Sequence, residues 1–123
     1  MGRTGLMAPR ESTSPSTAPL FLPLSMVTEG EAHVALVNAG MPTAAAAVLA
    51  QAARECEAPA GDGVHIALDA VGDDGLALGP FQVRVDQHQW AAGLDLYALD
   101  VSAAAAVVIW REAGGLGPWA CVP

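Results

Sequence analysis

The carboxyl group with the most distinctive setting in this sequence is that of Glu55. Pro42 and Thr43 open a helix that runs through Ala44 to about Glu57, and Pro59 with Gly61 ends it. At about 100° per residue, Val48, Ala52 and Glu55 share one stripe, because seven residues return the direction to within about 20°. Glu57 then points opposite Val48, toward water, and Arg54 lies off the stripe. A carboxyl on the apolar face of the last helical turn meets both loss of water and the negative end of the helix dipole, and both disfavour its charged form. Such a group can serve as a general acid near neutral pH. The plainer alternative is an ion pair of Glu55 with Arg54, Arg84 or Arg111.

Other chemistries find less support. Asp73 and Asp74 lie in Gly72-Asp73-Asp74-Gly75, where two acids could position a water, although D-D-G between strands is also good turn chemistry. Cys56 sits at a helix C-terminus, where the dipole opposes a thiolate, so a cysteine nucleophile with His65 or His88 is disfavoured. Cys56 reads instead as a small core residue aligned with Leu49, or as a partner for Cys121. His33, His65 and His88 are too far apart for a local metal motif, and Asp69 to Gly75 lacks the alternation of a calcium loop, so no metal and no cofactor are expected. Among the tryptophans, Trp110 reads as core, which leaves Trp90 and Trp119 as cleft candidates.

These residues need elements to hold them. Residues 1–26 are rich in Ser, Thr, Pro and Arg and read as a flexible leader, with residues 27–123 as the folded domain. Thr28-Glu29-Gly30-Glu31 is a capping box that starts a first helix, and Gly40 stops it. Val64 to Leu68 and Leu76 to Val85, around the Gly72–Gly75 turn, predict a small antiparallel region. A last helix starts with Asp100 or Ser102 as N-cap and ends at Gly114-Gly115. The expected fold class is α+β, mainly helical with a small β region.

Composition excludes several partners. The chain has 123 residues, with 13 acidic side chains against 5 basic ones and a formal charge of -8. The basic residues are five scattered arginines, which cannot form the cationic stripe that phosphate backbones or anionic lipids require. No run approaches the roughly 20 apolar residues of a spanning helix. The prolines and the polar stretch Glu11 to Thr17 interrupt a signal-peptide pattern at the N-terminus. Two cysteines permit one disulfide.

Three segments together resemble a known family. They are Glu55 closing an alanine-rich helix, the run Gly72-Asp73-Asp74-Gly75-Leu76-Ala77-Leu78-Gly79-Pro80-Phe81-Gln82-Val83, and a helix opened by Asp100. That helix ends Ile109-Trp110-Arg111-Glu112-Ala113-Gly114-Gly115 before Gly117-Pro118-Trp119. From Thr28 to Trp119 the chain resembles the lysozyme-like domain of soluble lytic transglycosylases, in the short form found in phage tail and actinobacterial cell-wall proteins. In that family a glutamate ends the core helix and a G-L-(M/F)-Q motif follows. The chain departs from the pattern at Cys56, where serine is usual, and at Pro80 and Arg84.

The resemblance implies cleavage of the β-1,4 bond between N-acetylmuramic acid and N-acetylglucosamine in bacterial peptidoglycan. Glu55 would be the single acid/base, protonating the glycosidic oxygen and then taking the proton of the muramoyl C6 hydroxyl as a 1,6-anhydro ring closes. Gln82, Gly79, Phe81, Asp73, Asp74 and Trp119 would line or support the glycan site. In the related goose-type lysozymes, acids at the positions of Asp73 and Asp74 serve a hydrolytic outcome. The implied setting is extracellular, at the cell wall or on a virion, as a monomer or within a larger assembly. A catalytically silent cell-wall or virion module of the same fold is the alternative.

Overall fold

The computed structural model describes residues 25–122. The leader expected over residues 1–26 thus lies almost wholly outside the described residues, and Met26 is part of the fold. Strand β1 (Met26–Thr28) pairs antiparallel with β2 (His65–Ala67), placing Val27 opposite Ile66. Thr28 ends the strand and caps helix α1 (Glu29–Ala39). Its hydroxyl accepts from the Glu31 N–H at 3.0 Å, and the Glu31 carboxylate accepts from the Thr28 N–H at 2.8 Å. Gly40, in the left-handed region, closes α1 as expected.

Helix α2 (Thr43–Ala52) follows, with Pro42 at its N-cap. It passes without a break into a π-helical turn, Ala53–Glu57, whose wider loop is closed by the Ala58 N–H bonding the Ala53 carbonyl at 2.9 Å. The expected hairpin region divides into two sheets. The Val64 to Leu68 segment pairs with β1, and a second sheet is built from β3 (Val71–Gly72), β4 (Ala77–Leu78) and β5 (Val83–Arg84), antiparallel in that order. A 3-10 turn, Asp73–Gly75, joins β3 to β4. Helix α3 (Leu99–Ala113) begins two to four residues earlier than expected: Ala98, not Asp100 or Ser102, is its N-cap, and no side chain caps it. Asp100 instead places its charge in the first turn, where the dipole favours it. The described chain is α+β, with three α-helices and two small antiparallel sheets.

Helix α1 packs against both α2 and α3. The buried faces are Ala32 and Leu36, then Ala46, Leu49 and Ala50, then Ala103, Ala106 and Val107. Alanine at so many contact positions lets the helix axes approach closely, which is how so aromatic-poor a chain fills its core. On the sheet side, Phe81 is the largest fully buried side chain. Trp119 packs there too, and its indole N–H donates to the Phe81 carbonyl at 2.8 Å.

Gly79 is required by this packing. It has φ +83, and a Cβ there would collide with the Leu96 carbonyl oxygen. Gly79→Ala is expected to cost about 3 kcal/mol or more, from left-handed strain plus backbone displacement. Urea unfolding checks this, and a loss under about 1 kcal/mol would show that the loop relaxes freely.

Candidate functional site

The carboxyl expected at the centre of the site does not occupy it. Glu55 is exposed, its side chain keeping 50% of its accessible surface. Its Oε2 accepts from Arg54 Nη2 and from Gln51 Nε2, both at 3.1 Å. Arg54 in turn donates to Glu29 Oε1 at 2.6 Å and to the Gly63 carbonyl at 3.3 Å. Glu55 therefore belongs to a surface ion-pair network, the plainer alternative above. The reason is the face chosen as apolar. Val48, which shares the stripe of Glu55, is 39% exposed, whereas Ala46, Leu49, Ala50 and Ala53 are buried. In this helix the core face is the alanine face, and Glu55 points away from it.

Glu57, expected to look at water, turns inward. It lies eight residues after Leu49, a rotation of about 80°, and the π turn holds it near that buried stripe. Its side chain is half-buried, and its Oε2 accepts from the Cys121 N–H at 3.0 Å. Burial, the largest influence, pushes its carboxyl above the usual range; the Cys121 N–H opposes this, and the Asp73 carboxylate reinforces it. The environment expected for Glu55 thus falls on Glu57, two residues on. Cys121 is fixed there because its sulfur is bonded to Cys56, so Cys56 is neither a core residue nor a free thiol. His65 does not approach it as a catalytic partner; its ring nitrogen Nδ1 lies 2.6 Å from Asp62 Oδ2.

A raised folded-state value has a thermodynamic consequence. The fold favours the protonated form of Glu57, so this group's contribution is fully present below the unfolded-state value and is lost as pH rises through the folded one. Glu57→Gln, which removes the charge and keeps an acceptor for the Cys121 N–H, is expected to raise the melting temperature at pH 7. The gain should vanish near pH 3. Melting curves at both pH values check this, and a variant less stable than wild type at pH 7 contradicts it.

No family model, curated protein or solved structure matches the chain.

The remaining expected residues divide between site and scaffold. Asp73 and Asp74 form the turn after β3, with the Asp73 charge near enough to act on Glu57, and both adopt left-handed backbone at φ 51 and 57. Asp73 is 61% exposed and is bonded by Arg84 Nη1 at 3.3 Å, while Arg84 also grips Asp86 at 2.8 Å. Among the described residues Gln82 is the third non-glycine with positive φ, at 49. Left-handed non-glycine residues cost free energy, and such positions concentrate at functional sites. The Gln82 amide nitrogen donates to the Ala70 carbonyl at 3.2 Å and to the Gly79 carbonyl at 3.0 Å. Its donors are thereby committed to tying the residue before β3 to the loop before β5, which leaves its carbonyl oxygen as the group it could offer a ligand.

Trp119 is only 5% exposed and its indole N–H is engaged with Phe81, so most of its ring serves the fold. Phe81 and Gly79 are scaffold for the same reason of burial. Trp90 is the exposed tryptophan, tilted against His88 with ring centres 5.9 Å apart. A groove of about 980 Å³ lies between α1 and α3 and contains none of these residues. Its lining is mostly apolar; of the two carboxylates on it, Glu31 is engaged in the α1 capping box and Asp100 stands in the first turn of α3, so its size alone does not make it the reactive site. Among the described residues no cluster of His, Cys, Asp and Glu could hold a metal ion, and no helix is long and apolar enough to cross a membrane.

Proposed function

We propose that this chain is a small lysozyme-like domain that cleaves peptidoglycan glycan strands as a lytic transglycosylase, with Glu57 and not Glu55 as its acid/base. The observation that carries the reading is the setting of Glu57: a half-buried carboxyl at the end of the alanine-rich helix, raised by burial, near an acidic turn and held by one backbone N–H. One carboxyl of this kind suffices for the anhydro route, because it protonates the leaving oxygen and then accepts the proton of the C6 hydroxyl that closes on C1. Glu57 ends the same helix and precedes the same Gly79-x-Phe81-Gln82 run, two residues beyond the glutamate of the resemblance and with Ala58 where serine is usual. A disulfide suits an oxidising compartment, which supports a setting outside the cytosol.

A second reading, a catalytically silent glycan-binding or structural module of the same fold, is favoured by a specific observation. Gln82, Gly79, Phe81 and Trp119 are all committed to the fold, which leaves few polar groups to grip a sugar. Incubation of the protein with purified cell walls separates the two. Release of soluble muropeptides supports the enzyme; sedimentation of folded protein with walls and no release supports the module.

A further inference from the structure

Cys121 meets the end of α2 in two ways. Its sulfur is bonded to Cys56, the residue before Glu57, and its backbone N–H donates to Glu57 Oε2 at 3.0 Å. The bridge closes 65 residues of chain at the point where a hydrogen-bond donor meets the half-buried carboxylate. The C-terminal segment has other anchors, notably Trp119 on Phe81, but the disulfide is the covalent tie that fixes Cys121 beside Glu57. Cys56 is exposed and Cys121 partly so, which leaves the bridge open to attack by a thiolate.

We propose that Cys121 is a positioning residue for the Glu57 carboxylate, held in place by the disulfide, and that opening the disulfide with a dithiol releases this carboxylate and slows glycan cleavage. The second half rests on the function proposed above; the first does not. Chemically, one thiolate of the dithiol attacks a bridge sulfur, and its second thiol then displaces the mixed disulfide. The reagent leaves as its own cyclic disulfide, and two electrons and two protons end on Cys56 and Cys121. The freed C-terminal residues no longer keep the N–H on Glu57.

The charged surroundings make the bond readable. From the turn after β3 Asp73 acts on Glu57, and Arg84 of β5 is paired with Asp73. On the carboxylate's own turn, Arg54 and Glu55 are bound to each other. Residues 114–122 carry no charged side chain, so Cys121 contributes through its N–H alone. An N–H aimed at a carboxylate favours the charged form, so losing this bond by itself raises the titration midpoint.

The test is a titration of the full chain by NMR, following the Glu57 carboxyl carbon and the Cys121 amide proton, oxidised and then reduced with a dithiol, with muropeptide release measured alongside. In the oxidised chain the Cys121 amide is expected to titrate with the Glu57 midpoint, and Glu57→Gln should abolish that response. After reduction the coupling should disappear, the Glu57 midpoint should move as the bond and the covering segment are lost, and release should fall at least several-fold. A Cys121 amide indifferent to Glu57 in the oxidised chain overturns the proposal. So does a reduced, folded chain that keeps the coupling and midpoint, or one that cleaves as fast as before. Outright unfolding on reduction overturns the switch, because release of one carboxylate is then not what reduction does. Absence of cleavage in both states, with the titrations as expected, sinks the proposed function and leaves the positioning role standing.

Discussion

Glu57→Gln is expected to lower muropeptide release by about 10²- to 10⁴-fold, the usual worth of a positioned acid/base, while Glu55→Gln leaves it within about threefold. Gln occupies the volume of Glu57 and can still accept from the Cys121 N–H, so the change removes the titrating proton and little else. Glu55, by contrast, faces water within the Arg54 and Gln51 network, and loss of one such surface pair costs little. The two variants differ by two positions in sequence but stand on opposite sides of one helical turn. Comparable activity loss in both would mean that the π turn unwinds in solution. Loss confined to Glu55→Gln would reverse the assignment.

Removing the Cys56–Cys121 bridge is expected to destabilise the chain by about 4 kcal/mol, the loop-closure entropy of a span of this length. Domains of this size have total stabilities of about 5–15 kcal/mol, so a large share would go. A Cys56→Ala, Cys121→Ala double variant should melt about 20 °C lower than the oxidised chain. Scanning calorimetry of both, without reductant, provides the number. A shift of only a few degrees would show that Trp119 and the helix contacts, not the bridge, fasten the C-terminal segment.

The parts of the fold read correctly from sequence are those fixed by local chemistry. The Thr28 and Glu31 capping box, the Gly40 and Gly114 stops and the Asp73-Asp74 turn each depend on residues within a few positions of one another. What failed depends on tertiary packing. In a helix made mostly of alanine, the one valine looked like the core marker, yet Val48 is exposed and the small side chains face inward because the helices are close. That choice turned the whole helix and exchanged the roles of Glu55 and Glu57. The resemblance implies substrate roles for Gln82 and Trp119 from their place in its motifs. The Ala70 and Gly79 carbonyls that bind Gln82, and the Phe81 carbonyl that binds Trp119, come into reach only when the sheet and the C-terminal segment are assembled. The bridge was one of two open fates for Cys56 and carried the missing information, since pairing Cys56 with Cys121 brings a donor to its neighbour Glu57.

The central claim, a single half-buried carboxyl cleaving glycan without water, is tested most directly by mass spectrometry of the soluble products from purified peptidoglycan. Muropeptides ending in 1,6-anhydro-N-acetylmuramic acid from the wild-type chain, and none from Glu57→Gln, are the predicted result. Products that have gained a water, or no products from a folded wild-type chain, would contradict it.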